Sequence, residues 1–111
     1  RWILRFGNAI CCPAVSYNLQ NLPDLCFDAE YSVNLDWAMW LSLAFKPGRF
    51  CYDPHRLMQH RISESMETSS AIADHRRFEE DRRIFYQLWP HKIADFLLHF
   101  YAKSYESNGH V

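Results

Sequence analysis

The stretch NLDWAMWLSLAFKPG, residues 34–48, decides how the rest of the chain is read. From Leu35 to Phe45 it is apolar on nearly every side of a helical wheel. A helix of that kind has no face to give to water and must be surrounded by other parts of the protein. Ser32 or Asn34 can cap its start, and Pro47-Gly48 stops it. Asp36 stands in the first turn, with Trp37 beside it and Trp40 one turn on. One explanation of the carboxylate is structural, since negative charge at a helix N-terminus contributes about 0.3–1 kcal/mol. The other is chemical. A carboxylate at the mouth of a buried helix, next to an aromatic ring on which a sugar can stack, is placed to accept a proton from a hydroxyl.

Upstream of this helix, Gly7-Asn8 breaks the opening apolar segment, and AICCPAVSY (9–17) reads as a short strand. Pro13 confines that strand to an edge or bends it. NLQNLPD (18–24) is turn-like. Downstream, RFCYD (49–53) and RLMQHRI (56–62) read as short extended segments separated by Pro54, and SESMETSS (63–70) has the composition of a loop. The opening Arg1-Trp2-Ile3-Leu4 carries no leader and reads as the interior of a structural element.

Two helices close the chain. The first, from about Ser70 to Leu88, carries the charged run HRRFEEDRR, with Phe78, Phe85 and Leu88 on one stripe and a Glu79/Arg83 pair at i,i+4. Pro90 separates it from the second, about His91 to Tyr105. There Ile93, Leu97, Phe100 and Tyr101 follow the helical period, with Lys92 and Lys103 expected opposite. That stripe suits a core, a partner interface or a peripheral membrane contact.

The 111 residues suffice for one domain or part of one. With 49% apolar and 23% charged residues the chain is globular, and 16% aromatic content calls for a core, a partner or a sugar. A net charge of −1 argues against binding a phosphate backbone, so no nucleic-acid partner is expected. No apolar run reaches the ~20 residues of a bilayer-spanning helix. Cys11, Cys12, Cys26 and Cys51 form no CxxC pair, which disfavours zinc, and are expected to be buried reduced thiols.

Taken in order, these features resemble the second half of family 2 glycosyltransferases of the GT-A type. Members show a D-W/Y-x-x-W-L-x-L-A helix, then G-x-x-x-Y-x-x-x-x-L-x-x-H/Y-R-I, then a Ser/Thr-rich loop. Here the matching residues are Asp36, Trp37, Trp40, Leu41, Leu43, Ala44, Gly48, Tyr52, Leu57, His60, Arg61, Ile62 and Thr68. Gly7, Asn8, Ile10 and Pro13 are similar to the strand that precedes this helix in the family. The tail from His75 onward is similar to the closing helices of a bacterial subgroup.

The resemblance implies an α+β fold: a mostly helical, C-terminal part of a GT-A domain with a few short strands and two closing helices. Residues 1–111 would form a single partial domain, 1–68 its acceptor-side catalytic core and 69–111 a helical extension. Asp36 matches the catalytic base of the family's glutamate-aspartate motif, although Leu35 stands where many members have the Glu. Trp37 and Trp40 would shape the acceptor pocket or pack beneath it, and Gly7 and Asn8 would lie near the donor sugar. Arg61 would grip a phosphate. The family's metal-binding His is replaced by Ser63, which leaves His60 as a weak metal candidate.

A Mg²⁺ or Mn²⁺ ion is implied for the full-length enzyme, held mainly by a D-x-D motif that this chain lacks. The expected partners are a nucleotide-sugar donor and a glycan or lipid-linked acceptor, in bacterial surface polysaccharide or glycolipid synthesis. The expected location is the cytoplasm, at the inner face of the membrane if the contact described above forms. The segment by itself should be inactive, and self-association is one way to cover its apolar surface. The competing reading is a non-catalytic helical module that presents aromatic faces to a protein.

Overall fold

A computed structural model describes residues 1–61 and 71–108, with backbone alone for 71–74 and 105–108. Among the described residues there are three α-helices: α1 (Leu35–Ala44), α2 (Ala71–Leu88) and α3 (His91–Asn108). Two 3-10 turns, Trp2–Arg5 and Cys12–Ala14, precede them. Asn34 is the N-cap of α1, and Pro90 falls between α2 and α3, which pack against each other as a hairpin.

α1 is enclosed on two sides, as its unbroken apolar composition requires. Trp37 points into a core with Tyr31, Ile84, Phe85, Ala94 and Leu98, contributed mainly by α2 and α3. Met39 and Trp40 point the other way, into a second cluster with Leu4 that the N-terminal coil covers through Ile10, Val15 and Tyr17. The rings of Trp37, Phe85 and Tyr101 meet at centroid distances of 5.3–5.5 Å. At about 25 cal/mol per Å² and 150–250 Å² per ring, each such aromatic contributes several times what a helix-end charge can. The tryptophans, not Asp36, hold this helix in place.

The expected α+β segment is not found. Among the described residues no strand forms, and the unit is mostly helical. Cys11 and Val15 do have extended backbone angles, but they flank the 3-10 turn at Cys12–Ala14, where Pro13 removes a ladder donor. The 49–53 stretch and the described part of 56–62 are exposed coil. Extended propensity yields a strand only where a neighbouring strand pairs its backbone groups, and none of these stretches pairs with another. Residues 63–70 lie outside the described residues.

Three smaller expectations also change. All four cysteines are exposed rather than buried. Glu79 pairs with His75 at 3.2 Å, while Arg83 reaches Glu30. On α3, Lys103 flanks the stripe instead of opposing it, with Nζ 6.0 Å from the Phe100 ring centroid. The face of α3 turned to the core carries Ala94, Leu97, Leu98 and Tyr101; Ile93 and Phe100 are exposed.

Candidate functional site around Asp36

Asp36 sits in the first turn of α1, where backbone amides have no intrahelical acceptor. Its Oδ1 accepts the Trp37 N–H at 2.7 Å, so part of its role is to satisfy one of those amides. Its Oδ2 accepts Nδ2–H of Asn8 at 2.9 Å. Both partners are neutral donors. Each carboxylate oxygen has two lone-pair directions, so each keeps capacity for a further donor. The residue is half-buried. This arrangement can hold a carboxylate in one orientation and still receive a proton.

Asn8 is itself fixed from two directions. Its backbone N–H donates to the Tyr101 hydroxyl at 3.2 Å, and its Oδ1 accepts the Ile10 N–H at 3.4 Å. Gly7 lies directly under the Tyr101 ring. A Cβ at that position would stand 2.6 Å from Tyr101 Cε2, so only glycine permits this approach. Gly7, Asn8, Asp36 and Tyr101 thus form one assembly drawn from the N-terminal coil, α1 and α3.

Trp37 and Trp40 are both fully buried. Trp37 Nε1 donates to the Leu4 carbonyl at 2.9 Å, and the Trp40 ring stacks on Tyr17 with a centroid distance of 6.0 Å. Neither ring offers a free face to a ligand, and they pack in the core below the carboxylate. Trp40 Nε1 is buried with no hydrogen-bond partner among the described residues. His60 and Arg61 are exposed in the coil after Pro54, and the hydrogen bonds of Asp36 among the described residues go to Asn8 and Trp37 rather than to either of them. Ser63 and Thr68 lie outside the described residues.

Among the described residues no three His, Cys, Asp or Glu side chains converge as metal ligands. Asp36 has an amide, not a second carboxylate, as its neighbour. These donors around Asp36 do not by themselves fit a Mg²⁺ or Mn²⁺ site, and among the described residues His60 belongs to no group of metal ligands. Two shallow depressions, of about 340 and 240 Å³, lie elsewhere: one among Glu30, Ser32, Arg76 and Arg83, the other among Trp2, Arg5, Leu41 and Phe45. Asp36 lines neither.

Sequence reasoning missed Glu80 and Asp81, which read there only as members of the charged run HRRFEEDRR. Glu80 accepts the N–H groups of Ser32, Val33 and Asn34 at 2.6, 2.9 and 2.7 Å, and the Ser32 hydroxyl at 3.0 Å. Asp81 accepts Asn34 Nδ2–H at 2.6 Å. This acid pair from α2 anchors the chain entering α1 and so sets where Asp36 stands. Burial is the largest influence on Glu80 and works to raise its pKa. The donors from Ser32, Asn34 and Val33 together outweigh it and bring the carboxyl below its ordinary value. Asp81 goes the other way. Burial pushes it up to about 6, against the opposing pull of Asn34 and Arg77. The only signal in the sequence was three consecutive acids, Glu79, Glu80 and Asp81, in a helix otherwise rich in arginine.

No helix among the described residues is long and apolar enough to cross a membrane. No protein-family model matches the chain, and neither a curated protein nor a solved structure compared with it does so.

Proposed function

We propose that the chain carries the acceptor-side base of a family 2-like glycosyltransferase, with Asp36 taking the proton from an acceptor hydroxyl as it attacks the anomeric carbon of a nucleotide-diphosphate sugar. The observation that carries this reading is the Asp36 carboxylate: half-buried at the start of an enclosed helix, oriented by Asn8 and the Trp37 amide, and left with lone pairs to spare. The ordered motif resemblance around Asp36 supports it from the sequence side. Attack from the face opposite the leaving diphosphate would invert the anomeric centre.

Donor binding and any divalent metal are assigned to parts of the protein other than the described residues, and no step here runs through them. Tyr101 and Asn8 are positioning residues: the first holds the Asn8 backbone, and Asn8 turns the carboxylate. Because nucleotide sugars are cytoplasmic metabolites, we place the reaction in the cytoplasm, in bacterial surface polysaccharide or glycolipid synthesis. The test is release of nucleoside diphosphate from a panel of UDP- and GDP-sugars by the longest natural polypeptide containing this chain. Acceptor-dependent release supports the reading. Its absence across the panel, with that polypeptide folded, refutes it.

A second reading, a non-catalytic helical interaction module, is favoured by the aromatic surface that α3 leaves exposed, with Phe96 63% and Phe100 55% accessible.

A further inference from the structure

α3 has an inner face occupied by the core and an outer face that is also apolar. Ile93, Phe96 and Phe100 follow at i, i+3 and i+7, so they line one side of the helix. They are 45%, 63% and 55% exposed. The rings of Phe96 and Phe100 meet edge to face at 4.9 Å, and His99 packs against Phe100 at 5.6 Å. Exposed phenyl rings in a row are costly in water, so something is expected to cover them.

Charge decides between the candidates. Lys92 and Lys103 are exposed and border this strip, with the Lys103 ammonium 6.0 Å from the Phe100 ring. Among the described side chains of α3 the single acid is Asp95. It is turned toward α2, where the Tyr86 hydroxyl donates to it at 2.5 Å. Among the described side chains the outer face is therefore aromatic and cationic, with no acid on it. A second copy docking by a twofold axis would set lysines against lysines, which disfavours self-association through this face. An anionic lipid surface is complementary on both counts: the rings enter the acyl boundary while the lysine stems extend to the headgroups. It also requires no matching groove for a convex helix.

We infer that the outer face of α3, built from Ile93, Phe96 and Phe100 and flanked by Lys92 and Lys103, docks peripherally on an anionic bilayer surface. The inference is independent of Asp36 and of the sugar-transfer reading.

Vesicle co-sedimentation tests it, comparing phosphatidylcholine alone with equal parts phosphatidylcholine and phosphatidylglycerol. The expected result is binding to the anionic vesicles, weakened by added salt and much weaker on phosphatidylcholine. Lys92→Gln/Lys103→Gln should weaken it roughly thirtyfold. Phe96→Ser/Phe100→Ser should weaken it by about tenfold or more, with the helical circular dichroism kept because both rings are exposed. Should the phenylalanine variant lose helicity, the lysine variant alone decides. Failure to bind anionic vesicles overturns the inference, as does equal binding of wild type and lysine variant. A concentration-dependent dimer abolished by the phenylalanine changes would assign the face to a second copy and overturn it as well.

Discussion

Asn8 and Asp36, 28 residues apart in the chain, are joined by a hydrogen bond of 2.9 Å from the Asn8 side-chain amide to the Asp36 carboxylate. That bond ties the N-terminal coil to the first turn of α1. A bond of this kind to a charged group is worth about 1.5–3 kcal/mol when part-buried, less where water competes. A double-mutant cycle of Asn8→Ala and Asp36→Ala, read by urea denaturation, should give a coupling of about 0.5–1.5 kcal/mol. Additive losses would show that the pair does not interact in solution.

Gly7→Ala should destabilise the protein, because the new methyl would fall 2.6 Å from Tyr101 Cε2. The Tyr101 ring is held by Trp37 and Phe85 and has little room to retreat. A loss of about 1–3 kcal/mol is expected, in line with overpacking elsewhere. Thermal unfolding checks it, and in a Tyr101→Ala background the same substitution should cost far less.

Glu80→Ala should be among the most damaging single changes in α2. It strands the N–H groups of Ser32, Val33 and Asn34, all of which Glu80 accepts. The expected loss is about 2–4 kcal/mol, a large share of a small domain's stability. The urea midpoint measures it, with Glu80→Gln intermediate since one oxygen remains to accept.

Glu80 and Asp81 also give opposite pH dependences. The Glu80 carboxyl is held below its ordinary value of 4.5, so its stabilisation is present above that pH and fades as pH falls further. Asp81 is raised from 3.8 to about 6, so the folded state binds its proton more tightly than the unfolded state. Stability from this group is therefore greatest below about pH 4 and is lost as pH rises toward 6, an effect on the order of 2–3 kcal/mol at most. Urea midpoints from pH 4 to 7 should fall with rising pH through that window in wild type. In Asp81→Asn, whose amide oxygen can still accept from Asn34, the fall should vanish.

The helices were legible because their signals are local. The start of α1 at Leu35, the break at Pro90 and the burial of Trp37 and Trp40 follow from residue type and spacing. The acid pair was not legible, since the partners of Glu80 lie 46 to 48 residues away and nothing in HRRFEEDRR points to them. Tyr101 was legible as one of an apolar stripe but not as the acceptor of the Asn8 amide. The strands failed for a related reason. β-propensity at residues 9–17 describes a willingness to pair, and pairing depends on a neighbour that local sequence does not name. At the candidate site, Asp36 and Asn8 were singled out and do meet, whereas His60 and Arg61 lie in exposed coil with no hydrogen bond to Asp36 among the described residues.

The central claim concerns one proton acceptor, and one substitution reaches it. Asp36→Asn keeps the shape of the side chain and an oxygen for the Asn8 amide but removes the basic group. In the longest natural polypeptide containing this chain, acceptor-dependent release of nucleoside diphosphate should fall about 10²–10⁴-fold, while affinity for the nucleotide sugar stays within a few-fold. Turnover equal to wild type in a folded Asp36→Asn protein would contradict the account and leave Asp36 as a helix-end charge.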